Sequence, residues 1–356
     1  MNTKNIEKKR DSSLELFRIM SMLVIVAHHY VANSGLIWTL APENVLSGRG
    51  LFTVIYGWGG KTGINCFILI TGYFMCKSNI TLKKFLKVIF QIVFYNVIFY
   101  IIFALVGYTE FSIGGLCRNV LPIYGIGTSF ISSYIVLYLC IPFLNTMLQN
   151  ISEKMHMLLL ILLLSIYTVL PSFFKIDVSS NYVIWFTIIY LCAAYIRLYP
   201  KKIFDSRLLW GILTVLCLLL SWISVVADAY SYAVTKEPLW YFWVYDSNKA
   251  LAFLTALCAF LFFKNLHLKY NPVINKIAAA TFGVLLIHAN NDSMRQWLWV
   301  DTLKNKQMLW NKYYLIHAVG SVIVVYIACT LIDLIRIQLI EKPFFKLYDR
   351  VCKIKE

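Results

Sequence analysis

Residues 8–30 read KKRDSSLELFRIMSMLVIVAHHY, a membrane-length apolar helix that carries charge at both ends. Glu15 and Arg18 lie in its first turns, and His28 and His29 lie near its far end. At about 100° per residue, Arg18 and His29 point within roughly 20° of each other. Glu15 falls about 40° from His29 on the same face, and His28 about 80° from Arg18 on a neighbouring one. One stripe of a hydrophobic helix thus holds an acid, a guanidinium and an imidazole. Ionisable groups in a bilayer helix are costly, and they normally face a cavity or a partner. A plainer reading has Glu15 and Arg18 pair at i,i+3 at headgroup level. It leaves His29, about 16 Å further along the axis, without an explanation.

The rest of the chain fits that helix. Of 356 residues, 60% are hydrophobic and 14% charged, with mean hydropathy +0.70, which marks an all-α, polytopic membrane protein rather than a soluble domain. The formal charge of +16 fits basic loops against anionic lipid, not nucleic acid. The N-terminus is basic but has no small-residue cleavage site, so a retained first span is expected. Nine cysteines are scattered without any C-x-x-C, so neither a disulfide framework nor a metal site is expected.

Hydropathy divides the chain into ten expected spans within one membrane domain. They cover residues 14–33, 62–76, 86–108, 129–148, 155–171, 182–199, 208–227, 249–263, 277–289 and 313–340. The second has an irregular lead-in broken by Gly57, Gly59, Gly60 and Gly63, and Pro343 is expected to end the last helix. Most Lys and Arg fall on one side, at Lys4 to Arg10, Lys77 to Lys87, Arg197 to Arg207 and Arg336 to Lys355. The positive-inside rule makes that side, with both termini, cytoplasmic. The opposite loops hold Trp240, Tyr241, Trp243, Tyr245, Trp297, Trp299 and Trp310. These rings suit an interfacial belt, or alternatively sugar stacking.

A neutral imidazole in a membrane cavity is a candidate general base, which points to His29. Arg18 is suited to a phosphate through bidentate bonds. The segment from Gly59 through Lys61, Gly63 and Asn65 to Gly72-Tyr73 is not a P-loop, because its order is wrong and no strand precedes it. Its glycines permit close approach by a helix or a ligand, and Asn65 can donate and accept. Tyr134, Tyr138 and Pro142 lie four apart on one helical face. His288 ends the ninth span beside Asn290, Asn291, Asp292 and Arg295, a polar cluster suited to a sugar or to solvent.

Taken in order, these pieces resemble the acyltransferase 3 family of integral membrane acyltransferases. Arg18, ten residues, then His29 is similar to its R-x10-H motif. Gly63 to Phe67 with Thr71-Gly72-Tyr73 resembles its G-x-N-x-F…S-G-Y segment, with threonine where serine is common. Tyr134 to Pro142 resembles its Y-x-x-x-Y-x-x-x-P helix. Leu286-Ile287-His288 and Glu341-Lys342-Pro343 resemble its L-I-H and E-[KR]-P landmarks. No appended extracytoplasmic esterase-like domain is expected. The resemblance implies a multi-pass enzyme of the bacterial cytoplasmic membrane. Such an enzyme moves an acyl group, usually acetyl from acetyl-CoA, to a hydroxyl of a surface polysaccharide, teichoic acid or lipid-linked glycan. His29 would be the essential histidine and Arg18 its partner, with Glu15 on the same face. Arg18, Lys61 and Asn65 are the residues expected toward the CoA ester. Tyr73, Tyr134, Tyr138 and His288 are those expected toward the carbohydrate acceptor. A sugar exporter without chemistry is the rival, since it too needs a polar cavity. The aligned Arg18 and His29 favour the enzyme.

Overall fold

The computed structural model describes residues 10–176, 178–237 and 241–353. Lys4, Lys8, Lys9, Trp240 and Lys355 lie outside the described residues. The described residues are 76% helical, and no strand occurs among them.

Helix α1, Ser12–Ala32, starts where Asp11 caps it, its carboxylate accepting from the N–H groups of Ser13 and Leu14. The turn that follows passes through Gly35 at φ +67°, a conformation glycine adopts without strain. Next come α2, Gly48–Tyr56, and α3, Gly60–Met75, parted by a short turn at Gly57 to Gly59. This is the irregular lead-in that the glycines predict. α4 is Leu82–Leu105, α5 the short Ile113–Val120, α6 Phe130–Asn150 and α7 Glu153–Phe173. α8 is Tyr182–Leu198, α9 Arg207–Thr235 and α10 Ala250–Lys264. α11, Pro272–His288, and α12, Asp292–Met308, meet at 94°, and α13 runs from Tyr314 to Cys352.

Burial sorts these helices into a centre and a wall. α8 is buried almost continuously from Trp185 to Ile196, as expected for a helix surrounded by other helices. α1 packs on α3, α10, α11 and α13, and α3 packs on α8 and α10. By contrast, only 17% of the α9 window and 22% of the α4 and α7 windows are buried. Leu208, Ile212, Val215, Leu219 and Ile223 on α9 are exposed at helical spacing, a face made for lipid.

Among the described residues, six helices are long and apolar enough to span a bilayer, or seven if the α11–α12 pair counts as one. The sequence-based count of ten is therefore not reached by length. α3, α8 and α10 have 16, 17 and 15 residues and reach only about 22–26 Å. Two boundaries differ from expectation. α9 continues to Thr235, so the aromatic loop begins later than residue 228. Pro343 does not end the last helix. A π turn at Ile337–Glu341 precedes it, and Pro343 then sits in the first turn of the continuation, where an N–H has no helical acceptor to lose.

Candidate active site

The segment from Gly57 to Gly63 lets α3 approach α1 closely. A Cβ at Gly60 would overlap the ring of His28, and one at Gly63 would stand 2.6 Å from Ile25. That approach brings both histidines of α1 to one cavity of about 430 Å³, also lined by Lys61, Tyr182, Asn290 and Arg295. His28, expected on a neighbouring face, therefore shares the cavity with His29.

Two contacts hold these imidazoles. His28 Nδ1 lies 2.6 Å from the Gly57 carbonyl, which can only accept, so the ring donates there. His29 Nδ1 lies 2.8 Å from Nε2 of His288, which is fully buried at the end of α11. The indole of Trp299 stands edge-on to the His288 ring, with centroids 6.2 Å apart. Among the described residues, Nε2 of His29 has no hydrogen-bond partner and is left to the cavity.

Cations and hydroxyls furnish the cavity's rim. Lys61 donates to the Tyr182 hydroxyl at 2.6 Å and pairs with Asp246 at 3.5 Å. Lys61, Thr128 and Tyr182 also line an adjoining polar cavity of about 260 Å³ with Ser180, Asn181 and Asn248. Arg295 is held by Asp292 at 2.9 Å, and its Nε is buried without a partner.

The remaining sequence-predicted residues sit elsewhere. Arg18 faces Glu15 at 3.6 Å near the other end of α1, and Glu15 is buried. On the stripe between Arg18 and His29, Met22 is buried and Ile25 lines the His29 cavity, whereas Arg18 is not among the residues lining it. Asn65 is fully buried, donating to the Ser247 carbonyl and accepting from the Trp185 indole. Its amide ties α3 to α8 and to the loop before α10. The Tyr73 hydroxyl accepts from Arg197 at 2.8 Å, with the guanidinium 4.6 Å from the ring centroid. Tyr134 and Tyr138 lie next to each other along α6, their rings tilted by 54° with centroids 6.3 Å apart, and Tyr134 also meets Phe282 of α11. Of the nine predicted residues, His29, His288 and Lys61 come together.

Sequence reasoning missed a buried ionic cluster on α13. Asp333, with no exposure, accepts from the Tyr95 hydroxyl at 2.8 Å, from Arg336 Nε at 2.7 Å and from Gln91. Arg336 also donates to Glu341 at 2.7 Å. An acid and a base three apart within an apolar helix were the available signal. No group of residues suited to a metal ion occurs among the described residues.

A multi-pass helical bundle, with His29 at a cavity and His288 in contact with it, defines a helical membrane protein. The acyltransferase-domain family matches residues 11–334. The chain belongs to the acyltransferase 3 family, and it is an acyltransferase by that membership. Comparison with curated proteins and with solved structures finds no match.

Proposed function

We propose that the protein transfers an acyl group, acetyl from acetyl-CoA, to a hydroxyl of a surface polysaccharide or lipid-linked glycan. The observation that carries this reading is His29 Nε2, unpartnered among the described residues, facing a cavity large enough for a sugar hydroxyl and the end of a thioester. In the proposed step Nε2 takes the proton of the acceptor hydroxyl, and the alkoxide oxygen attacks the thioester carbonyl. The C–S bond then breaks, and the thiolate leaves as a thiol with the proton from Nε2. Arg295 and Lys61, both on the cavity, are placed to stabilise the developing oxyanion. The adjoining polar cavity extends the room for the sugar beyond the reacting hydroxyl.

Arg18 and Glu15 belong to the approach of the donor rather than to the proton transfer, since Arg18 lies about 16 Å from His29 along the axis. Ten crossings follow if α3, α8, α10 and the bent α11–α12 pair each count as one. That count puts both termini on the basic, cytoplasmic side. Asn65, Tyr73, Tyr134 and Tyr138 then shape the bundle rather than touch substrate.

The test is transfer by a His29→Ala protein in cells lacking the native gene, with membrane insertion checked in parallel. The expected outcome is normal insertion with O-acetyl content of the surface glycan at the level of the empty strain. Full O-acetylation by that variant would reject the reading.

A further inference from the structure

The geometry points to His288 as the positioning partner of His29, the group that keeps the lone pair of His29 on Nε2 and turned into the cavity. This inference rests on the reading of His29 as the base, and it changes the place of His288 from sugar contact to support.

The argument is one of donors and acceptors. His288 Nδ1 lies 2.6 Å from the Val284 carbonyl of its own helix. A carbonyl only accepts, so Nδ1 of His288 carries a proton. In a neutral ring Nε2 then has none and must accept. Its neighbour at 2.8 Å is His29 Nδ1, which therefore carries the proton of that bond. His29 is left with a bare Nε2. A doubly protonated His288 would keep its bond to Val284 and donate from Nε2 to His29 Nδ1, reversing the second bond alone. It would also bury a cation at zero exposure, with His29, Trp299 and Val284 as its contacts and Arg295 lining the cavity of His29. Burial of an unpaired charge is far costlier than burial of a hydrogen-bonded neutral ring.

The consequence is mechanistic. Free imidazole favours the tautomer with the proton on Nε2, which cannot act as a base at that atom. Buried against His288, the ring is fixed in the other tautomer before substrate arrives. When Nε2 takes the hydroxyl proton, Nδ1–H still donates to His288, so no group has to move. The partner of a catalytic histidine is usually a carboxylate; here it is a second imidazole, itself held by the backbone. The helix end that presents it is fixed by close packing, because Gly283 on the same helix admits the Asp333 carboxylate against its backbone.

Two substitutions separate this role from packing. His288→Gln and His288→Phe both lose the bond to Val284. Gln keeps an acceptor oxygen where Nε2 stood, and Phe keeps the ring volume without an acceptor. In cells, transfer to the surface glycan should fall by ~10²-fold or more for His288→Phe and recover substantially for His288→Gln. Full-length protein in lipid nanodiscs, labelled with ¹⁵N-histidine, gives an independent readout. His29→Ala identifies the His29 signals among the six histidines. Wild type and His288→Gln should show Nδ1–H with a bare Nε2 at His29, and His288→Phe should shift population to Nε2–H. An Nε2–H tautomer at His29 in the wild type would overturn the inference, as would unimpaired transfer by His288→Phe. A wild type with the expected tautomer but no acyl transfer would overturn the proposed function and leave this assignment standing.

Discussion

At the scale of single residues, the site depends on what is missing at position 60. His28 donates to Gly57 and lays its ring against Gly60, so the ring is pinned on two sides. Gly60→Ala would put a methyl group into that ring, which cannot swing aside without losing its hydrogen bond. The expected cost is ~1–3 kcal/mol, together with a distorted cavity wall and weaker transfer. Gly48→Ala is the matched control, because nothing lies within 4 Å of a Cβ there. Thermal unfolding in detergent should separate the two variants, and equal stabilities would mean that the ring is not pinned. The glycine pattern was visible in the sequence. Whether a helix or a ligand fills the space it leaves was not, since Val24, Ile25, His28 and Val31 of α1 occupy it only in three dimensions. The same holds for the histidine pair. His29 and His288 each stood out alone, but 259 residues of chain separate them, and no helical periodicity links them.

At the scale of elements, α13 is tied to α4 by charge as well as by the stacking of Phe90 on Phe344. Asp333 gathers Gln91 and Tyr95 from α4 and Arg336 from its own helix, and Asp333, Tyr95 and Arg336 are buried. Arg336 bridges Asp333 and Glu341, so Arg336→Leu strands the buried Asp333 while Asp333→Ala leaves Arg336 paired with Glu341. Arg336→Leu should therefore destabilise the protein by ~3–5 kcal/mol, and Asp333→Ala by less. The readout is the midpoint of thermal aggregation of the detergent-solubilised variants. An Arg336→Leu variant as stable as wild type would show that the cluster contributes nothing. This cluster escaped sequence reading because a window average over an apolar helix dilutes one Asp and one Arg. The rule that singled out Arg18 applies to them equally. The π turn after Arg336 was likewise illegible, since Pro343 reads as a stop unless the preceding turn has already widened.

At the scale of the whole molecule, the open matter is how many helices cross. Composition alone identified a helical membrane protein, and the basic clusters give an expected cytoplasmic side. Span counting is harder, because α8 and α10 are short and enclosed by other helices, and length is then a poor guide to depth. Cysteine reactivity can count them. Among the nine cysteines, Cys117 on α5 and Cys352 near the end of α13 are the two exposed ones. With α1, α3 and α4 all crossing, Cys117 lies opposite the N-terminus. With ten crossings, Cys352 lies on the N-terminal side. A membrane-impermeant maleimide applied to intact cells should therefore modify Cys117 and spare Cys352, and permeabilisation should expose both. Cys117→Ser should abolish the signal from intact cells without affecting the second one. Labelling of both residues from outside would mean an even number of crossings between Cys117 and Cys352, so that α8, α10 or the bent α11–α12 pair does not cross. Such a result would also move the mouth of the His29 cavity relative to the membrane.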